Sequence, residues 1–332
     1  MTTYKRESEI GKVFKVNILP YLPPEIKILL GVLPTKTVCE LEEIRLRASK
    51  PLIIQCRSHD YIISSNGKVQ DHENNAFIVR QEHIKRAVEL ISHNSIYAFQ
   101  EELKNGFITI KGGHRIGIAG RTVIEGKTVK NIKDISGLNF RISKEVPGCS
   151  DKYVKHLIDQ NMQIMNTLIV SPPGCGKTTM LRDLARIFSH GKKEYGLSGV
   201  RVGIVDERSE IAACFKGVAQ HDVGIRTDVL DGCPKSVGMV MMLRSMSPDV
   251  IITDEIGNEG DRDAVLQVIN AGVKIVSAAH GYSISELKTR REVLELIDMK
   301  VFERFVVLSK RHGPGTVDEI VDGITMQSLR RW

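Results

Sequence analysis

No stretch of this sequence approaches the ~18 consecutive apolar residues that a bilayer-spanning helix requires. The opening segment "MTTYKRESEIGK" mixes acidic and basic side chains and has no apolar core, so it does not read as a signal peptide. The expectation is a cytoplasmic protein that meets a membrane only through a partner or a surface. Six cysteines, at 39, 56, 149, 175, 214 and 233, show neither C-x-x-C pairs nor a histidine pattern suited to zinc. They read as reduced, mostly buried thiols. Aromatic residues are few, at 5%, and there is no internal repeat or low-complexity tract.

What is present fits a soluble globular protein: 42% hydrophobic and 26% charged residues. A length of 332 residues suggests two domains of roughly 150 residues each. The formal charge of +7 is compatible with a nucleic-acid or anionic-membrane partner, but the basic residues are spread along the chain and form no tail.

The first part reads as mixed α and β. Two prolines open a short helix at "PPEIKILLGVL", and "EEIRLRASKPLIIQC" alternates as two adjoining strands. "RQEHIKRAVELISHN" carries Ile84, Ala87, Val88 and Ile91 at helical spacing, with a basic outer face. "FITIKGGHRIGIAGRTVI" is a hairpin about Gly112 and Gly113, and "GLNFRISKEVPGCS" adds one strand before Pro147 and Gly148. The boundary is expected near residue 150, giving an α+β domain over 1–150 and a second domain over 151–332. From residue 163 strand and helix alternate, which implies a mostly parallel sheet covered by helices. "NTLIV", "VRVGIVD", "DVIITD" and "VKIVSAA" are its strands, while "FERFVVLSK" and "GTVDEIVDG" add β structure at its edge.

"NTLIVSPPGCGKTTM" is the strongest signal. A buried strand runs into Ser171, Pro172, Pro173, Gly174, Cys175 and Gly176, and Lys177, Thr178 and Thr179 open a helix. Wrapping phosphate oxygens in backbone N–H groups requires glycines followed by a helix N-terminus. Lys177 would reach the β and γ phosphates, and Thr178 would offer its hydroxyl to Mg²⁺. The first position of the G-x-x-x-x-G-K-[ST] pattern is Ser171, small enough to serve there. ATP and Mg²⁺ are therefore the expected ligands.

Such a loop requires carboxylates at neighbouring strand ends. "DVIITDEIG" supplies Asp254, expected near Mg²⁺ through water, and Glu255, a general base or water-orienting group. "VGIVDERSEI" ends another strand in Asp206, Glu207, Arg208 and Glu210. The C-terminal edge of a parallel sheet is where ligands bind in such folds.

The order of these motifs, with "LRSMSPDVIITDEIG" and then "SAAHG", resembles the secretion and type IV pilus family of hexameric ATPases. "EEIRLRASKPLIIQ" and "GGHRIGIAGR" also resemble strands of that family's N-terminal domain. Nearly the whole chain, from about residue 17, resembles a branch that serves sporulation in endospore-forming bacteria. The resemblance implies a RecA-like P-loop domain preceded by a smaller α+β domain. It puts Asp206, Glu207 and Glu210 on an aspartate box, Leu243 and Arg244 with Pro248 and Asp249 on the stretch before Walker B, and His280 on a histidine box. It also implies arginines supplied by the N-terminal domain or an adjacent subunit, for which Arg115, Arg121 and Arg141 are candidates; Arg226 and Arg244 lie nearer the core. The chain departs from the family in having Asp254–Glu255 where many members have Gly–Glu, and Ala278 where threonine is usual. The division of metal and base duties between the two acidic strand ends is thus open.

The implied function is an oligomeric, hexameric ATPase, Mg²⁺-dependent, that energises a membrane-embedded sporulation channel from the mother-cell cytoplasm. His280 ends the strand after Walker B, which suits it to sense the bound nucleotide. The competing readings are a nucleic-acid-associated ATPase or translocase, for which no binding module is visible, and a nucleotide-gated scaffold without turnover.

Overall fold

Alternating apolar residues and a change of rhythm near residue 150 shape two units. A computed structural model describes residues 2–57, 59–92, 106–126 and 128–331. The chain forms two compact units, Met1–Lys144 and Glu145–Trp332.

In the first unit, helices α1 (Thr2–Asn17), α2 (Pro24–Gly31) and α3 (Thr35–Glu40) precede strands β1 (Leu41–Arg47), β2 (Ile53–Cys56), β3 (His59–Ile63) and β4 (Val69–Gln70). Helix α4 (Gln81–Ile91) is followed by β5 (Phe107–Ile110), β6 (His114–Glu125) and β7 (Thr128–Arg141). His93 and Asn94, in the helical stretch read from the sequence, lie outside the described residues. The seven strands form one sheet in the order β4-β3-β2-β1-β7-β6-β5, with every neighbouring pair antiparallel. Gly112 and Gly113, at φ +87° and +73°, turn β5 into β6 as the hairpin signal predicts. Ile84, Ala87 and Ile91 of α4 share a core with Ile44, Ile54, Ile116 and Phe140 of the sheet.

Strand β7 begins at Thr128, well before the strand expected at "GLNFRIS", and pairs with β6 along both their lengths. The outer half of this ribbon is exposed on β6, and its partner, the first half of β7, has Val129, Ile132 and Ile135 three residues apart, so no apolar alternation marks that half in the sequence. Helix α1 likewise carries no apolar face in the sequence: among its described side chains only Phe14 is buried.

The second unit holds β8 (Thr167–Ser171), α5 (Lys177–His190), β9 (Val202–Asp206), β10 (Thr227–Asp231), α6 (Lys235–Met246) and β11 (Val250–Glu255). Then come α7 (Glu259–Asn270), β12 (Lys274–His280), α8 (Ile284–Leu287), α9 (Arg291–Asp298), β13 (Arg304–Ser309), β14 (Thr316–Asp322) and β15 (Ser328–Arg331). They form an eight-stranded sheet in the order β10-β9-β11-β12-β8-β13-β14-β15. The first six strands run parallel and the last two are antiparallel additions at the edge.

Alternate strand residues feed two cores. Ile169, Ile204, Ile252 and Val276 pack with Leu181, Leu184 and Phe188 of α5. Val170, Val205, Ile251 and Ile275 pack with Met239 and Met242 of α6 and with Val265 and Val268 of α7. Burial on both faces explains why these strands read as unbroken apolar runs. Edge strands β10 and β15 are partly or wholly exposed and lack such a run, so the sequence does not announce them. No helix among the described residues is long and apolar enough to cross a membrane.

Candidate nucleotide site

The turn from β8 into α5 is built on two left-handed glycines, Gly174 at φ +70° and Gly176 at φ +91°. Gly176 caps α5, whose first turn has N–H groups without intrahelical acceptors, an arrangement that favours an anion. Lys177 folds back over the loop and donates from Nζ to the Ser171 carbonyl, 3.1 Å away. Partial burial pulls its ammonium below the usual lysine range, against the opposing charges of Glu255 and Asp254. Those three side chains therefore share one environment. Thr178 and Thr179 follow in the first turn, both half-buried.

Sheet order decides what else arrives there. The strand carrying His280, β12, lies between β8, which leads into the glycine turn, and β11, which ends in Asp254 and Glu255. Ser171 stands opposite His280 in register, and Glu255 opposite Ala278. The ring Nε2 of His280 is 3.6 Å from one Glu255 oxygen, longer than a hydrogen bond but within ion-pair reach. The other Glu255 oxygen receives Arg290 Nη1 at 3.4 Å. Asp254 is half-buried and accepts the Glu255 N–H at 2.7 Å. Its carboxyl is pushed up chiefly by burial and further by the charge of Glu210, while Lys235 and Arg208 pull it down. A carboxylate held close to a second one is the condition that a divalent cation relieves.

The aspartate-box residues take three different positions. Asp206 is fully buried and accepts from the N–H groups of Glu210 and Ala212, each at 2.8 Å. Burial pushes it up to about 6 in spite of those bonds. It organises the loop instead of facing solvent. Glu207 pairs with Lys235 of α6, and Glu210 lies near Asp254.

Leu243, Arg244, Pro248 and Asp249 precede β11. Pro248 is buried and Arg244 is exposed on α6. Asp249 pairs with Arg201 through Oδ1 to Nη2 at 2.8 Å and with the Arg201 N–H at 2.8 Å, tying the starts of β9 and β11 together. Arg226 donates to the Ser189 carbonyl at 2.8 Å. In the first unit, Arg121 pairs with Asp134 at 2.8 Å, Arg141 lies 3.6 Å from Glu43, and Arg115 stacks over the Phe107 ring at 4.8 Å.

Sequence reasoning missed Lys235, the partner of Glu207, and two further cations. Arg290 caps α9, and no spacing rule joins it to Glu255, 35 residues earlier. Lys310 opens the β13–β14 turn, "KRHGPG", which packs on the phosphate loop: the Gly315 N–H donates to the Cys175 carbonyl at 2.8 Å. A β-carbon on Gly174 would stand 3.0 Å from Lys310 Nζ, so this ammonium lies against the loop. The basic Gly–Pro–Gly turn was a visible signal, but nothing in the sequence connects it to residue 174.

The six cysteines are free; Cys56, Cys175 and Cys214 are buried and the other three half-buried. No group of three or more His, Cys, Asp or Glu side chains among the described residues converges on a metal position.

The sequence matches the family described as "Sporulation stage III, protein AA" over residues 15–327. It is 43% identical over 306 residues to stage III sporulation protein AA of Bacillus subtilis (strain 168), across 92% of this chain and 94% of that protein. The fold is similar to that of the ATPase DotB of Yersinia pseudotuberculosis, with TM-score 0.59 and 12% identity over 92% of this chain and 81% of that one. It is also similar to the pilus retraction motor PilT with bound ADP, with TM-score 0.54 and 15% identity over 82% and 75% of the two chains. At such identities the likeness is one of fold.

Proposed function

The chain belongs to the sporulation stage III, protein AA family, and from that membership and the phosphate-loop geometry we propose that it hydrolyses ATP as an oligomeric, hexameric motor of the secretion-ATPase type. The observation that carries the reading is the adjacency of β11, β12 and β8. It gathers Glu255, His280 and Lys177 at one sheet edge, although they come from three separate segments.

The N–H groups of residues 174–179 wrap the phosphates, and Lys177 exchanges its bond to the Ser171 carbonyl for phosphate oxygens. Thr178 and Asp254 fit a hydrated Mg²⁺, with Glu210 nearby. When bound, the ion neutralises charge on the phosphates. Glu255 takes the proton of the attacking water as that oxygen bonds to the γ-phosphorus; the bond from phosphorus to the ADP oxygen breaks and ADP leaves. Arg290 and His280 flank the two Glu255 oxygens and hold the base in line. His280, beside the phosphate loop, reports the nucleotide state.

An arginine in trans completes the site, with Arg115, Arg121 and Arg141 as candidates. The Arg121–Asp134 pair is exposed, is worth about 1 kcal/mol or less and can be exchanged for phosphate. The motor would work on a membrane complex between mother cell and forespore, docked from the mother-cell cytoplasm. Phosphate release by the wild type and by Lys177→Ala tests the reading. Loss of turnover and of nucleotide binding in the variant is expected; a Lys177→Ala protein hydrolysing at the wild-type rate would sink the site.

A further inference from the structure

Arg182 is an arginine buried to 8% exposure in the middle of the phosphate-loop helix. Burial pulls its guanidinium down, while Glu145, Asp206 and Glu210 act in the other direction. Its Nε donates to the Ile211 carbonyl and its Nη2 to the Glu210 carbonyl, both at 2.6 Å. The opposite edge of the same short segment is held by Asp206, which takes the N–H groups of Glu210 and Ala212. Residues 210–212 are thus gripped by their carbonyls from one side and by their amides from the other.

The backbone on either side of that grip is strained. Ser209 at φ +52° and Ala213 at φ +50° are both left-handed without being glycine, at a cost of about 1–2 kcal/mol each. The loop would not hold this path by local preference. It is held because Arg182 and Asp206 over-determine it. The helix end of the clamp is itself fixed, since the adjacent Asp183 accepts from the Gly148 and Ser150 N–H groups at 2.9 and 2.7 Å.

We propose that Arg182 is a positioning residue that sets the Glu210 carboxylate relative to the phosphate loop. Lys177 and Arg182 ride on one helix, about 7.5 Å apart along its axis. A helix that responds to phosphate carries Arg182 with it, and Arg182 carries the backbone of Glu210, whose charge acts on Asp254. The inference rests on the ATPase reading above.

The test compares ATP turnover and binding of a fluorescent ATP analogue in the wild type, Arg182→Met, Arg182→Lys, Glu210→Gln and the double variant Arg182→Met with Glu210→Gln. A displacement of about 1 Å at such a site costs on the order of 100-fold in rate. The expected result for Arg182→Met is a fall of that size in kcat, with analogue affinity within about threefold of wild type. Arg182→Lys keeps the charge but not the two-carbonyl fork, and should show an intermediate loss; it carries the test if the methionine variant does not fold. The effects of Arg182→Met and Glu210→Gln should overlap in the double variant, whereas a merely structural arginine would give effects that multiply. Unchanged kcat in a folded Arg182 variant, or multiplying effects, would overturn the proposal while leaving the ATPase reading intact. A wild-type protein that neither binds nor hydrolyses ATP would remove both.

Discussion

Replacing Gly174 and Gly176 by alanine, one at a time, should give two different outcomes from what looks like one substitution. Both residues have φ in the left-handed region, +70° and +91°, where a β-carbon costs about 1–2 kcal/mol. At Gly174 the new carbon meets Lys310 Nζ at 3.0 Å and Cε at 3.4 Å, the end of a flexible exposed side chain that can swing aside. At Gly176 it meets backbone: Gly315 N at 3.0 Å, Gly315 Cα at 3.3 Å and the Pro314 carbonyl carbon at 3.7 Å. That backbone is tied to the loop by the bond from Gly315 to the Cys175 carbonyl. Admitting the methyl group therefore moves the β13–β14 turn and weakens a hydrogen bond worth about 1 kcal/mol. The expected cost is about 1.5 kcal/mol for Gly174→Ala and about 2.5 kcal/mol for Gly176→Ala. For a unit of this size that corresponds to melting points lower by roughly 4 °C and roughly 7 °C. Thermal melts with and without a slowly hydrolysed ATP analogue measure both effects. Ligand-induced stabilisation should persist in Gly174→Ala and vanish in Gly176→Ala. Equal melting shifts, or the reverse order, would refute the packing argument.

Glu255→Gln should bind ATP and lose most turnover, while His280→Ala should leave binding nearly intact and slow hydrolysis about 10- to 100-fold; phosphate release and analogue titration check both, and an unchanged rate would return His280 to an incidental place. Burial pushes the Cys149 thiol up to about 11 and the Cys214 thiol up to about 12, so both should resist iodoacetamide at pH 8 in the native protein and react once it is unfolded in urea, as read by peptide mass spectrometry. His221 sits 3.0 Å from Glu145, yet burial outweighs that carboxylate and holds the imidazole below its ordinary 6.5. The neutral ring is the form the fold prefers, so its contribution is present above pH 6.5 and lost as the pH falls below it. Urea melts across that range should show a shallower acid loss in His221→Gln than in the wild type.

The glycine turn that opens α5 and the parallel sheet could be read from the sequence because each has a local cause. Buried parallel strands are apolar on both faces, and a loop that holds phosphate requires glycines followed by a helix. Edge strands β10 and β15 and the first half of β7 have no comparable signature, since they lack a buried or alternating apolar run. Lys235, Arg290 and Lys310 were illegible for another reason. Each meets the site through tertiary packing, and a lone cation in a sequence carries no mark of the carboxylate or loop it will face. The same limit hides Arg182, which reads as one polar residue on an amphipathic helix.

Asp206 shows how motif resemblance and physical role can part. On sequence it heads an acidic cluster at a strand end, grouped with Glu207 and Glu210 as if the three acted together. In the fold it is the one that solvent never reaches. A rise from 3.8 to about 6 corresponds to about 3 kcal/mol against the folded state at neutral pH. The sign follows from the raised folded value: the native state holds the proton longer, so stability falls as the pH climbs from 3.8 through about 6. A buried carboxylate so unfavourable at neutral pH has to do something a neutral residue cannot. Its two oxygens each accept a backbone N–H, whereas an asparagine would turn a donor toward one of those amides. On either side of those amides stand the left-handed Ser209 and Ala213, and the charge of Glu210 between them acts on Asp254. Asp206 thus serves the candidate site by shaping the loop that carries Glu210, and the free-energy cost of burying its charge is borne by the fold.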